Sequence, residues 1–212
     1  MQHERADNAN IWNLAEKLVL ASKSAVRGRL LEQAGIPFER DPANLDERSL
    51  EAAFVGNGGN FDGLATMLAQ AKAIEASRRH PGVLCIGSDQ VLIFAGSVIH
   101  KADTIPDVIG NLQRLSGRTH LLLSAFAIAL DARVIRKGVD HAKMTMRFLD
   151  EEQMALYLRL VGPSALESVG GYMLEGAGIH LFEKIEGDSA TILGMPLLRV
   201  LSALREEGAL WL

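Results

Sequence analysis

The chain has 212 residues, 48% of them apolar and 23% charged, enough for one substantial α/β core or for two small lobes sharing a cleft. A formal net charge of −4 argues against bulk binding to nucleic acid, which needs a basic face, yet leaves room for a local basic pocket. The single cysteine, Cys85, rules out an intrachain disulfide and reads as a small buried hydrophobe within the apolar run 83–86. The longest apolar stretch, residues 121–130, is about half of what a membrane helix needs. Residues 1–10 are polar and mixed in charge, unlike a signal peptide. These features point to a cytoplasmic protein with neither a membrane nor a nucleic acid as partner.

In chain order, residues 1–16 read as a polar N-terminal extension with a frayed helix. Residues 17–21 (KLVLA) form a short strand, followed by the polar turn Ser22-Lys23-Ser24. Val26, Leu30, Leu31 and Ala34 then mark one face of a helix that Gly35 ends. Residues 36–40 suit a second strand, and 57–60 (NGGN) a loop. Leu64, Met67, Leu68, Ala71 and Ile74 give the apolar face of the next helix, which ends near Pro81-Gly82. Two apolar, strand-like runs, 83–86 and 91–94, flank Gly87-Ser88-Asp89-Gln90, and Ala95-Gly96 is a turn. Ile105, Val108, Ile109, Leu112 and Leu115 mark a further helix. Residues 121–130 are a buried strand and Asp131-Ala132 a turn. Met144, Met146 and Phe148 alternate with polar residues as a half-buried strand. Asp150 caps a helix carrying Met154, Tyr157, Leu158 and Val161, broken at Gly162-Pro163. Pro196 opens a last helix (Leu197, Leu198, Leu201, Leu204) that ends at Gly208. Interleaved strands and helices predict an α/β protein with a mixed twisted sheet and flanking helices.

Four clusters carry chemical interest. Ser22-Lys23-Ser24 with Arg27 sits at a strand-to-helix turn, where hydroxyls, free N–H groups and a guanidinium suit a phosphate; the alternative is an ordinary Ser cap and a surface Arg. Asp46-Glu47 is an acidic pair of the kind that ligates magnesium, although acidic pairs are common on surfaces. Gly87-Ser88-Asp89-Gln90 is either a bulge or loop, or the placement of a carboxylate at a cleft. Lys72 and Lys101 each adjoin apolar sequence and could hold triphosphate oxygens; the alternative is a solvated or snorkelling lysine. The histidines show no metal-ligand spacing, and Arg78-Arg79-His80 reads as a solvated helix end.

Taken together these segments resemble the Maf family of nucleotide pyrophosphatases. The matching stretches occur in the family's order: LVLASKS with Arg27 and Leu30-Leu31, GIPF at 35–38, LDE at 45–47, AKA at 71–73 and IGSDQV at 86–91. LSGRTH at 115–120, GGY at 170–172, EGAG at 175–178, IEGD at 185–188 and GMPL at 194–197 complete the set, which spans residues 17–207. The resemblance implies a single domain over 17–212 with two lobes around a central cleft (Maf/ITPase-like), often homodimeric. It implies hydrolysis of a nucleoside triphosphate to the monophosphate and pyrophosphate with Mg or Mn as cofactor. Carried over by position, Asp89 is the proton acceptor and, with Glu47, a metal ligand. Ser22, Ser24, Arg27, Lys72 and Lys101 bind phosphate, and Val26, Gln90 and Glu175 stand at base-reading positions. Gln90 and Glu175 resemble the branch acting on 7-methyl-GTP, since a carboxylate accepts from the N1–H and N2–H₂ edge of guanine. The chain departs from the family at Ala25-Val26, at His100-Lys101-Ala102, at Ser124-Ala125 and at Thr191. A dTTP/UTP pyrophosphatase and a nucleotide-binding regulator of cell division with little turnover are the competing readings.

Overall fold

The computed structural model describes residues 11–212; residues 1–10, the greater part of the expected extension, lie outside the described residues. Residues 11–16 form no helix. Trp12 is buried and bridges to Leu210, its Nε1–H donates to the Glu16 carbonyl at 2.9 Å, and Asn13 N–H donates to Ala209 O at 2.9 Å. An apolar indole in an otherwise polar stretch is what fastens this segment to the end of the chain.

A seven-stranded sheet forms the centre. Its strands are β1 (Leu18–Leu20), β2 (Phe38–Arg40), β3 (Cys85–Phe94), β4 (Ser97–Ile99), β5 (Thr119–Leu130), β6 (Arg133–Met146) and β7 (Phe182–Glu186). They run in the order β2-β1-β3-β5-β6-β7, with β4 also paired to β3. The β2–β1 and β1–β3 pairs are parallel and the rest antiparallel, which makes the mixed sheet expected from the sequence. The helices are α1 (Ala25–Gln33), α2 (Glu47–Gly56), α3 (Phe61–Arg79), α4 (Ile105–Leu115), α5 (Glu151–Val161), α6 (Ser189–Ile192) and α7 (Leu197–Glu206). No helix among the described residues is long and apolar enough to cross a membrane.

The strand β3 corrects the reading of its polar tetrad as a possible bulge or loop. It runs unbroken from Cys85 to Phe94 and pairs in register with β5 from Cys85↔Ala129 to Ile93↔Leu121. Because side chains alternate across a strand, the tetrad is shared between two faces. Asp89 joins Val91 and Ile93 toward α3, whereas Ser88 and Gln90 lie with Ile86 and Leu92 on the other face. On that second face two apolar clusters are separated by polar side chains. Ile86, Phe126 and Ile128 pack with α1 and α7, while Leu92, Leu122 and Met144 pack with α4 and α5. Ser88, Gln90 and Ser124 occupy the row between them. That row divides the molecule into two lobes.

On the opposite face α3 packs closely on the sheet. Its buried stripe is Leu64, Ala65, Leu68, Ala69, Lys72, Ala73 and Ala76; Met67, Ala71 and Ile74, expected on that face, are only half-buried. The small alanines win the inner positions because Gly87 on β3 leaves the helix backbone room to come within contact. A Cβ there would lie 2.2 Å from Ala69 O and 2.6 Å from Ala73 N. The expected half-buried strand ends at Met146, and Phe148 lies beyond it with 78% of its surface exposed. Helix α2 had no prediction; none of its residues is buried, and Leu50 and Phe54 rest partly covered on the α3 cluster. Strands β4 and β7 were likewise unforeseen. Cys85 is fully buried, and its burial raises the thiol pKa to about 11, so it is an inert apolar group.

Candidate active site

The sheet parts at the middle of β3. β1 pairs with β3 only as far as Ile86 and β4 only from Leu92, so residues 87–91 have a neighbouring strand on the β5 side alone. A cleft of about 830 Å³ opens over this gap, at the carboxyl end of the parallel strand β1, the usual place for a ligand in an open α/β sheet. Every residue expected at the site lines it: Ser22, Ser24, Val26, Arg27, Glu47, Lys72, Asp89, Gln90, Lys101 and Glu175.

Asp89 is 7% exposed and Lys72 9%. Lys72 Nζ donates to Asp89 Oδ1 at 2.6 Å and lies 2.8 Å from Glu47 Oε2, so one ammonium bridges two carboxylates brought in by β3 and the start of α2. Lys72 is therefore not a solvated lysine: it is buried and paired, as a charge in such a position must be. Desolvation holds Asp89 above the ordinary carboxylate pKa, with Glu47 adding to the rise; the charges of Lys72 and Arg27 pull it back.

The turn after β1 carries the first cluster. Ser24 caps α1 through a bond from Arg27 N–H to its Oγ at 3.4 Å, and Ser22 Oγ accepts from Ser24 N–H at 3.2 Å. Arg27 spends most of its guanidinium on the framework: Nε donates to Gly194 O at 2.9 Å, and Nη1 to Ser88 O at 2.8 Å and Ser22 Oγ at 3.2 Å. It thereby takes up the carbonyl left free where the sheet parts. Burial lowers its pKa, opposed by Asp89 and Glu47. Lys101 enters from the strand side, its backbone bridged to Val169. Its pKa is lowered, by desolvation first and then by Arg27 and Lys72. Three cations thus converge on the cleft of an acidic protein.

Two expectations change in detail. Asp46 does not join Glu47 as a paired ligand. Its carboxylate caps α2, accepting from Ser49 N–H at 3.1 Å and Ser49 Oγ–H at 2.7 Å. Gln90 lines the cleft, but its amide donates to Ser124 Oγ (3.0 Å), Thr191 O (3.2 Å) and Ile192 O (2.9 Å). Ser124 Oγ–H in turn donates to Thr191 O at 2.6 Å. Gln90 is thus held by the Ser124 hydroxyl and by the backbone carbonyls of Thr191 and Ile192, while the Thr191 hydroxyl turns away to the Asp188 carboxylate.

Among the described residues no group of three or more His, Cys, Asp or Glu side chains is placed to hold a metal. Glu47 and Asp89 supply two hard oxygen donors at the cleft, a donor type that suits a magnesium-like ion able to complete its shell with water and ligand oxygens. Sequence reading missed Arg29 on α1, whose guanidinium reaches across the cleft to the Glu175 carboxylate, and His100, 3.5 Å from Glu51. No local pattern links residues 146 positions apart.

A family profile described as "Maf-like protein" matches residues 17–207. A "7-methyl-GTP pyrophosphatase" of Rhizobium johnstonii is 50% identical over 197 residues, covering 93% of this chain and 99% of that protein. The protein of the same description from Brucella abortus biovar 1 is 46% identical over 191 residues, covering 90% and 96%. A "Nucleoside triphosphate pyrophosphatase" of Nitrobacter winogradskyi is 46% identical over 198 residues, covering 93% and 96%. With the profile spanning nearly the whole described chain, the chain belongs to the Maf family.

Proposed function

We propose that the chain hydrolyses a nucleoside triphosphate to the monophosphate and pyrophosphate, with 7-methyl-GTP as its leading substrate and Asp89 as the proton acceptor. The observation that carries this reading is the buried Asp89 carboxylate, bridged by Lys72 to Glu47 on the floor of a cation-lined cleft. The names of the similar proteins support the reaction and the nucleotide class. Asp89 holds a water and takes its proton as the water oxygen bonds to the α-phosphorus. The bond from that phosphorus to the α–β bridging oxygen breaks, and pyrophosphate leaves carrying the negative charge. Lys72, Lys101 and the Ser22–Ser24 turn bind phosphate oxygens and stabilise the charge that grows on them. Arg27, tied to Ser22 and Gly194, sets the geometry of that turn. Glu47 and Asp89 would hold a divalent cation, which would supply neutralisation of phosphate charge.

The test is an assay with Mg²⁺ or Mn²⁺ against 7-methyl-GTP, GTP, dTTP and UTP, with product identification. Monophosphate and pyrophosphate are expected, with a loss of roughly 10²–10⁴-fold in kcat for Asp89→Asn. A folded protein that turns over none of the four, or an unchanged Asp89→Asn variant, overturns the reading.

A further inference from the structure

The ion pair between Arg29 and Glu175 joins the two walls of the cleft. Arg29 stands on α1, one helical turn after Val26; Glu175 stands in the loop between Tyr172 and the 3₁₀ turn Ala177–Leu181. Both line the cleft, and both are partly exposed, with side-chain accessibilities of 51% and 31%. The pair is thus available to a ligand rather than sealed in the core. Residues three apart on a helix share a face, so Arg29 and Val26 address the same part of the cleft. Val26 offers a short aliphatic surface with neither charge nor stacking area.

We propose that Arg29 is a specificity-determining residue, setting how this site weighs a positively charged 7-methylated guanine against neutral guanine. The inference rests on the reading that Glu175 meets the base. A guanine methylated at N7 carries a positive charge that a bare carboxylate attracts. Arg29 already neutralises that carboxylate and adds a cation of its own, so the methylated base loses its electrostatic advantage. The guanidinium plane also stacks on a neutral base more favourably than on a cationic one, and both effects act in the same direction. Discrimination is a difference between two affinities, and here the repulsive element is built into the wall.

The experiment measures kcat/KM for 7-methyl-GTP and for GTP below neutral pH, where the methylated base is fully charged. Five proteins are compared: wild type, Arg29→Ala, Arg29→Glu, Glu175→Gln and the double variant Arg29→Ala/Glu175→Gln. Arg29 is half exposed and serves no core contact, so its variants are expected to fold. The ratio of 7-methyl-GTP to GTP is expected to rise about two- to fivefold in Arg29→Ala, the range an exposed ion pair supports, mostly through KM. It is expected to rise further in Arg29→Glu. In the Glu175→Gln background the effect of Arg29→Ala should be smaller, because only the guanidinium's own charge and stacking then act and the carboxylate it neutralised is gone. A ratio that does not move in Arg29→Ala and Arg29→Glu, while both nucleotides are hydrolysed, overturns the inference and leaves the pyrophosphatase reading intact. A ratio that rises in Arg29→Ala equally with and without Glu175 overturns the coupling to that carboxylate. Loss of turnover on both nucleotides in wild type sinks the underlying reading instead.

Discussion

Arg27 shows how one side chain can serve both framework and site. Its Nε–H and Nη1–H donors meet Gly194 O, Ser88 O and Ser22 Oγ at 2.8–3.2 Å. A lysine ammonium has no planar fork and cannot reach three acceptors in those directions. Arg27→Lys should therefore lose roughly 1–3 kcal/mol of stability in urea titration, because at least one carbonyl in the gap is left unpaired. It should also lower kcat as the Ser22–Ser24 turn drifts. Asp89 gives a second prediction, in pH. Its carboxyl is raised by burial and pulled down by Lys72 and Arg27. A general base works only when ionised, so kcat/KM falls as pH drops through that raised pKa. Lys72→Gln removes the foremost opposing charge, lifts the pKa further and should move the acid limb of the profile to higher pH. A limb that stays in place would show that Lys72 does not tune Asp89. The residues named here were readable from the sequence because they sit in short local patterns: Ser22 to Arg27 is one turn of chain, and Asp89 an acid inside an apolar run. Arg29 was not, because its partner Glu175 is defined only by the fold.

The active arrangement depends on how near α3 lies to β3. Gly87 and Asp89 sit two apart on one face of the strand, under Ala69, Lys72 and Ala73 of the helix. Gly87→Ala would place a methyl group 2.2 Å from Ala69 O, so the helix must lift. Overpacking of this kind costs about 1–3 kcal/mol, and here it also draws Lys72 from Asp89. A lower melting temperature together with a lower kcat is expected; normal kcat in the folded variant would mean the spacing is not critical. This contact explains which elements the sequence revealed. Strands β1 and β5 announce themselves as apolar runs, β3 only as two such runs split by its polar tetrad, and helices α4 and α7 by apolar period. The inner face of α3 was misjudged because alanines, whose apolar signal is weak, outcompete Met67 and Ile74 for the sheet side. Helix α2 went unseen because it buries none of its residues fully, and β7 because a charged, half-buried edge strand (FEKIE) carries little periodic signal.

At the scale of the molecule, the lobe built on Leu92, Leu122 and Met144 contains a buried titratable group that the site does not use. His120 on β5 is 2% exposed; its Nε2 bonds Tyr172 Oη at 2.7 Å, while its Nδ1 is buried without a partner. Tyr172 packs edge-on against Phe182 of β7, with ring centroids 4.8 Å apart, and lines the cleft beside the loop that holds Glu175. The imidazole therefore ties the sheet to the wall proposed to meet the base. Burial lowers its pKa from 6.5 to about 4. Between these values the unfolded chain binds a proton that the folded chain does not, so stability rises with pH across that window. The contribution is complete above about pH 6.5 and is lost as pH falls toward 4, a change on the order of 3 kcal/mol. Asp41, held below its ordinary pKa by Arg79 and His80, acts in the same direction at lower pH. Comparison with His120→Phe separates the two contributions. The variant gives up the bond to Tyr172 and should be the less stable protein at pH 7.5. Its urea midpoint should then change less than that of wild type between pH 6.5 and 4.5, narrowing or reversing the gap. Parallel pH curves for the two proteins would mean that His120 charges in the folded state without penalty, and that acid sensitivity resides in the carboxylates alone.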